Sequence, residues 1–425
     1  MSRRILILRY YYYGEVVDVA VVVRDGIVIE SRGFVNKDIC NNNMCIDLRS
    51  HGIALPGFID IHTHLRGLHL SYKEDEETGT MAAARGGFTA VIDMPNTIPR
   101  IDNIDALESK LRSLREKAYV DYGIYISPSN SIPRVNSMLN VDGVIGVKIF
   151  PEDLKYVDIV LEILRRRNFD RLLIVHAEHP DYISECEAGL RWRCRSIDSE
   201  LVALKILGEL SRRGDRIHVT HVTNTTTLRY ARNMGFSVDT CPHYLYLSSE
   251  DERTLGCIAK VNPPLREPSV RDELLRSIKM FDAISTDHAP HSIEEKSKPF
   301  DECPAGIPSL DIAGSLILNL IHMDFLSIDD VIRLTSLGPA KIIGIDRWGC
   351  IHEGCIASYT IVDLDSEIIV DPSKFYSKAK FSPYRGRRLK GVVKATVIRG
   401  YVVFNGDNLD EKPVPEPLTK FMVRK

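Results

Sequence analysis

Between Gly57 and Pro290 the chain repeats one unit, a short apolar run rich in Val and Ile followed by a longer segment with helical spacing, as at 156–167 and 201–213. That is the rhythm of βα units joined into a parallel sheet. About eight such runs can be counted, at 57–61, 90–94, 122–126, 146–150, 172–175, 217–220, 237–240 and 283–286. Eight is the number that closes a (β/α) barrel, although an open doubly wound sheet has the same periodicity. The polar residues favour the barrel. Nearly every run ends in a side chain able to ligate a metal or to titrate: His62 and His64, Asn96, Lys148, His176, His221, His243, then Asp287 and His291. In a barrel these ends converge on one face, where such folds place their sites.

Both termini read differently from the middle. A β-branched run at 16–23 is followed by the turn pair Asp25-Gly26 and a second run at 27–29. Near the other end, 356–362 and 392–398 are strand-like, and Arg399-Gly400 turns the chain into 401–404. We expect an α/β protein: a TIM-type (β/α)8 barrel at 56–349 with a small β-domain built from 1–55 plus 350–425.

Composition narrows the partners. Fifty-five Lys and Arg against 58 Asp and Glu give a formal charge of −3, without a long basic run, which argues against a nucleic-acid binder. No stretch approaches the ~20 apolar residues that span a bilayer. The apolar run after Arg3-Arg4 is short and lacks a small-residue cleavage site, so a cytoplasmic location is expected. Nine cysteines, an odd number, are scattered without a CxxC pair; they read as small buried hydrophobes rather than a disulfide framework or thiolate zinc site.

Alternate residues of a strand point to one side, so His62 and His64 in Asp60-Ile61-His62-Thr63-His64 can present two imidazoles to a single cation. His176 and His221 offer further neutral nitrogens, and Asp287 a carboxylate, a mixed set that a borderline cation such as Zn²⁺ accepts. His179 and His218 read as structural. Lys148 is the odd member, because an ammonium cannot bind metal. Beside dications it is deprotonated or chemically modified, or the site is organised differently. Arg66 offers a planar fork suited to a carboxylate, or else forms an ordinary surface ion pair. With Asn96, Asn262 and His291 in the same mouth, an anionic substrate bearing an amide becomes sensible.

Six ordered motifs then resemble a known family. They are Asp60-Ile61-His62-Thr63-His64-Leu65-Arg66, Asp93-Met94-Pro95-Asn96-Thr97, Gly146-Val147-Lys148-Ile149-Phe150, His176-Ala177-Glu178, Asn262-Pro263-Pro264-Leu265-Arg266 and Thr286-Asp287-His288-Ala289-Pro290-His291. Together they are similar to the dihydroorotases, cyclic amidohydrolases, from about Leu55 to Gly344. The resemblance implies two zinc ions per subunit. His62, His64 and Asp287 would hold one, His176 and His221 the other, and Lys148, carboxylated on its amine, would bridge them. It further assigns Arg66, Asn96 and His291 to a substrate carboxylate, Asn262 to ring amides, and the Ala305-Gly306 backbone to completing the pocket. Asp287 would be general acid and base in the reversible closure of N-carbamoyl-L-aspartate to dihydroorotate. The partner implied is thus a small molecule; a homo-oligomer and association with aspartate carbamoyltransferase stay open.

One local departure stands out. Gly67-Leu68-His69 follows Arg66 where the family commonly has an acidic residue, Pro and Gly, and His69 reads as a bystander. Allantoinases and dihydropyrimidinases share the ligands and the reaction type, but their substrates carry no free carboxylate for Arg66. A catalytically silent scaffold would be expected to lose ligands, and all six candidates are present.

Overall fold

The computed structural model describes residues 3–33, 40 and 44–423. Met1 and Ser2, which open the leader-like stretch, lie outside them. The N-terminal strands are β1 (Arg4–Tyr12), β2 (Glu15–Arg24), β3 (Ile27–Arg32), β4 (Met44–Asp47) and β5 (Ile53–Pro56). The middle supplies β6 (Phe58–Thr63), β7 (Phe88–Asp93), β8 (Asp121–Ile126), β9 (Val144–Ile149), β10 (Leu172–Val175), β11 (Ile217–Val219), β12 (Ser237–Thr240) and β13 (Ala283–Ile284). The C-terminal part adds β14 (Tyr359–Ile369), β15 (Arg388–Ile398) and β16 (Tyr401–Phe404).

The two ends of the chain share one mixed sheet, in the order β16-β15-β14-β5-β1-β2-β3, with β4 parallel to β1. β5 joins them, pairing with β1 at Tyr10–Ala54 and with β14 from Pro56 to Ile53. Its hairpins are tight because Asp25-Gly26 and Arg399-Gly400 both take positive φ at their two central residues (52° and 82°, 49° and 86°), which matches the twist of the flanking strands. These two turns pack on each other: a Cβ on Gly26 would lie 2.8 Å from Cβ of Arg399.

The second sheet runs β13-β12-β11-β10-β9-β8-β7-β6 in strict sequence order, and its pairs are all parallel. Helices on its outside bury each strand on both faces, which explains the continuous apolar runs in place of alternation. Closure between the last strand and the first is made by single contacts. Thr63 bridges His288, the His64 amide donates to the His288 carbonyl at 2.8 Å, and the Asp60 carboxylate accepts from the His62 and Thr286 amides, both at 3.1 Å. β13 is short because its chain leaves the ladder to shape the site.

The end of the barrel away from the site is sealed by the chain's own tail. Leu418 is fully buried in the same core cluster as Ile59, Ile92 and Ile145, and the Trp348 indole donates to the Gly57 carbonyl at 2.9 Å. Arg399 reaches the buried Asp121 at 3.0 Å and so ties the terminal sheet to the barrel.

The cysteine expectation is corrected. Eight of the nine pair, as Cys40–Cys45, Cys186–Cys194, Cys257–Cys303 and Cys350–Cys355, and only Cys241 is a free, buried thiol. Three pairs are 5 or 8 residues apart and close short local turns, while the fourth spans 46 residues and exists only because the fold brings its ends together. Reading for CxxC spacing could reveal neither kind. Among the described residues no helix is long and apolar enough to cross a membrane.

Candidate active site

The strand ends meet. His62 and His64 from the end of β6 and Asp287 beyond β13 each offer a ligand atom within 4.8 Å of the others, the only such cluster of three or more among the described residues. Asp287 Oδ1 lies 3.3 Å from His62 Nε2 and 3.1 Å from His64 Nε2. The His221 ring centre is 5.0 Å from that of His62, and His176 stands edge-on to His221 at 4.3 Å. Four imidazoles therefore form one continuous buried row.

Three of the four rings are oriented from behind. His62 Nδ1 lies 2.6 Å from Thr220 Oγ1, and that hydroxyl donates to Asp239 at 3.1 Å, which leaves His62 Nε2 free toward Asp287. Asn96 Oδ1 accepts from His64 Nδ1 at 2.7 Å. His176 Nε2 donates to Glu178 at 2.6 Å, with Glu178 itself bound by Arg195, so Nδ1 is the ring's remaining donor atom. His221 Nδ1 is buried without a hydrogen-bond partner. Such outer partners fix tautomer and orientation in metal sites. Burial, joined by neighbouring positive charge, pushes His62 and His221 well below the ordinary imidazole range. His64 and His176 are lowered too, despite their carboxylate neighbours. Neutral imidazoles with one free nitrogen are what a cation needs. For Asp287, burial acts upward but is outweighed by His64, His243 and Lys148, so its carboxyl lies below the usual range and is ionised.

Lys148 is the penultimate residue of β9, and its charge acts on His62, His176 and His221. It is fully buried, its Nζ has no hydrogen-bond partner, and burial pulls its amine down to about 7 against the attraction of Asp287 and Asp239. An isolated buried ammonium is costly. The same nitrogen as a neutral amine is a nucleophile, and the donor set around it fits a metal centre.

Of the ligand and substrate-contact candidates, all but Lys148 line one cavity of about 420 Å³, whereas His243, also named at a strand end, is buried outside that lining with neither ring nitrogen hydrogen-bonded among the described residues. The metal-ligand candidates form its floor, and Arg66, Asn96, Asn262, His291, Ala305 and Gly306 its walls. Arg66 is buried, donates from Nε to the Pro290 carbonyl at 3.2 Å, and sets Nη2 3.2 Å from His291 Nε2. No carboxylate among the described residues pairs with it. Its backbone has a φ of 55°, with Gly67 and Leu68 also positive at 65° and 48°. A side chain on Gly67 would collide with the Glu76 carboxylate, so the departure from the family pattern needs glycine. Holding this bend in place is Lys110, whose buried ammonium donates to the Arg66 carbonyl at 2.9 Å and pairs with Glu76 at 2.6 Å and Asp93 at 2.8 Å. His221 and Asp287 also have positive φ, 47° and 45°, backbone strain of the kind that gathers at sites. Asn262 is held by Arg191 through its Oδ1. His69 is exposed and does not line the cavity, and His218 is buried on Asp239 at 2.9 Å as a structural residue.

Sequence reasoning missed this supporting layer. Glu178, two residues after His176, could have been found from spacing alone. Lys110 carried a signal as well, for it interrupts the apolar stripe Leu107, Leu111, Leu114 of the helix Ile104–Lys117. Thr220, Asp239 and Arg195 carried none.

The model of the amidohydrolase family matches residues 53–403, and the chain belongs to that family. Within it, the chain is similar to proteins named dihydroorotase. It is 36% identical over 366 residues to the one from Saccharolobus solfataricus, covering 86% of this chain and 87% of that protein. The Aeropyrum pernix protein is 37% identical with 84% and 85% covered, and that of Pyrococcus abyssi 31% identical with 98% of both. In fold, the chain superposes on L-hydantoinase (dihydropyrimidinase) from Arthrobacter aurescens with a TM-score of 0.89 at 22% identity, covering 97% of this chain and 98% of that one. Dihydropyrimidinase from Brevibacillus agri gives 0.82 at 20%, with both chains fully covered. At these identities the likeness speaks for the fold.

Proposed function

We propose that the chain is a dihydroorotase, a hydrolase of cyclic amide C–N bonds that interconverts N-carbamoyl-L-aspartate and (S)-dihydroorotate in pyrimidine assembly. One observation carries the choice of substrate: a buried guanidinium, Arg66, opens onto the cavity beside the imidazole cluster with no carboxylate partner among the described residues. A charge so placed is stabilised when a ligand supplies the anion. Allantoin and dihydropyrimidines lack one.

In this reading His62, His64 and Asp287 would hold one zinc ion and His176 and His221 a second. Lys148, once its neutral amine has added CO₂ with loss of a proton, would supply a carbamate oxygen donor to this centre. The support is the donor set, the free ring nitrogens and the unpartnered Nζ. When bound, such a pair of ions supplies a water deprotonated near neutral pH and polarises a carbonyl.

The chain's own residues do the rest. Arg66, His291 and Asn96 grip the substrate carboxylate, while Asn262 and the Ala305-Gly306 backbone hold the ring amides. This fixes the scissile carbonyl over the ligand row, and positioning is itself a large part of the rate. Asp287 takes a proton from the attacking water and returns it to the departing ring nitrogen. In reverse, the same proton leaves the ureido nitrogen as the ring closes and water departs.

Metal content and turnover of dihydroorotate, allantoin and dihydrouracil, measured on one preparation, test the reading. Dihydroorotate should be turned over at least a hundredfold faster, by kcat/KM, than the other two, on the order expected when a buried polar partner is left unmatched. Comparable turnover of dihydrouracil would overturn it.

A further inference from the structure

Behind the carboxylate side of the cavity stands a pair of charges that the proposed chemistry does not use. The His291 ring is buried, and each nitrogen has two neighbours of opposite kind. Nε2 lies 3.0 Å from the Ala305 carbonyl, which can only accept, and 3.2 Å from Arg66 Nη2, which can only donate. Nδ1 lies 3.3 Å from the Glu295 carboxylate, an acceptor, and 3.2 Å from the Lys73 ammonium, a donor. A neutral imidazole carries one N–H and one lone pair, so it has two complete sets of bonds here. With the proton on Nε2, the ring donates to Ala305 and accepts from Lys73. With the proton on Nδ1, it donates to Glu295 and accepts from Arg66. Burial, and then the charges of Arg66, Lys73 and Lys296, hold the ring neutral.

The surrounding groups are fixed. Lys73 and Glu295 form an ion pair at 2.8 Å, only 12% and 19% exposed. The Ser292 amide donates to Glu295 at 3.1 Å, and so does the Tyr72 hydroxyl. Lys296 donates to the Pro304 and Gly306 carbonyls, both at 2.9 Å, which presents the Ala305 carbonyl to the ring.

Resting on the dihydroorotase reading, we infer that Lys73 and Glu295 are positioning residues that let His291 exchange tautomers when the substrate carboxylate arrives. Arg66 has further N–H groups for the carboxylate, but a lone pair on His291 Nε2 would face that anion, whereas an N–H there binds it. One tautomer meets this demand, the one carrying the proton on Nε2 while Lys73 donates to Nδ1. Without substrate, Arg66 and Glu295 support the other. The ring thus changes from acceptor to donor toward the cavity without changing its charge.

The test is kinetic and spectroscopic. Lys73→Met removes the donor that the substrate-bound tautomer needs, so KM for dihydroorotate should rise at least about tenfold while kcat stays within about threefold; Lys73→Arg, which keeps a donor, should recover most of the loss. In ¹⁵N-histidine-labelled parent protein, the His291 signals, assigned with His291→Asn, should move from an Nδ1–H to an Nε2–H pattern when dihydroorotate is added to equilibrium. An unchanged KM in Lys73→Met, or the same ¹⁵N pattern with and without substrate, overturns the proposal. Should Lys73→Met fail to fold, the ¹⁵N measurement decides alone. Absence of turnover by the parent protein would instead strike at the dihydroorotase reading itself.

Discussion

Asn96 Oδ1 accepts the Nδ1 proton of His64 at 2.7 Å, which ties a wall residue of the cavity to a metal-ligand candidate. A residue read from the sequence as a substrate contact therefore also sets the tautomer of a ligand. Asn96→Ala should weaken metal binding by about 10- to 100-fold, the usual effect of losing an outer partner. Asn96→Asp keeps the acceptor and should retain metal, yet it should raise KM by placing a negative charge beside the substrate carboxylate. Metal titration and steady-state kinetics on the two variants check the split.

Arg66→Met should act on affinity for the anion. Losing one charge-assisted interaction amounts to about 1.5–3 kcal/mol, so KM for dihydroorotate should rise by roughly 10- to 150-fold. A neutral carboxamide analogue should lose almost nothing, and an equal loss for both would mean that the guanidinium is structural.

Asp287→Asn keeps an oxygen donor among the ligands but cannot carry the proton. Metal content should remain above half of the parent's, while kcat should fall by about 10²–10⁴-fold, the range of general acid–base catalysis. A rate within a few-fold of the parent would place proton transfer elsewhere.

Lys148 links metal loading to pH. Its amine is at about 7 in the folded chain against an ordinary 10.5, so across that window the unfolded chain binds a proton that the folded chain does not. This group's contribution to the stability of metal-free protein therefore rises with pH from about 7 toward 10.5. Denaturant unfolding of chelated protein should show the slope, and Lys148→Ala should abolish it. Reconstitution with zinc and bicarbonate should likewise go faster at pH 8 than at pH 6, because the neutral amine adds CO₂. Lys148→Ala should lower bound zinc and activity together.

Lys110 should matter most to stability. Its side chain and those of Glu76 and Asp93 are at most 1% exposed, so Lys110→Met leaves two buried acids without their cation. Breaking such a group costs about 3–5 kcal/mol. Chemical denaturation should register that loss, and KM should rise too, because the Arg66 carbonyl loses its anchor.

Much was legible before the fold was known. The barrel strands fall within a few residues of the runs counted in the sequence, and 172–175 and 237–240 coincide with β10 and β12. Asp25-Gly26 and Arg399-Gly400 announced their hairpins, because positive φ at two adjacent positions is a local demand that few residues meet. The identities of the ligand candidates were also local, each at the end of a β-branched run.

What the sequence by itself determined, then, is the order of strands and helices, the tight turns and the chemical type of each strand-end residue, since these follow from neighbours a few positions apart. Tertiary structure alone decided which groups share a proton, a charge or a sulfur. His62 meets Thr220 across 158 positions, His64 meets Asp287 across 223, and Lys73 meets His291 across 218. The lowered Lys148 amine, the lone Arg66 guanidinium and the Cys257–Cys303 pair belong to the same kind. Each depends on distance and on exclusion of water, and both come into being only when the barrel closes.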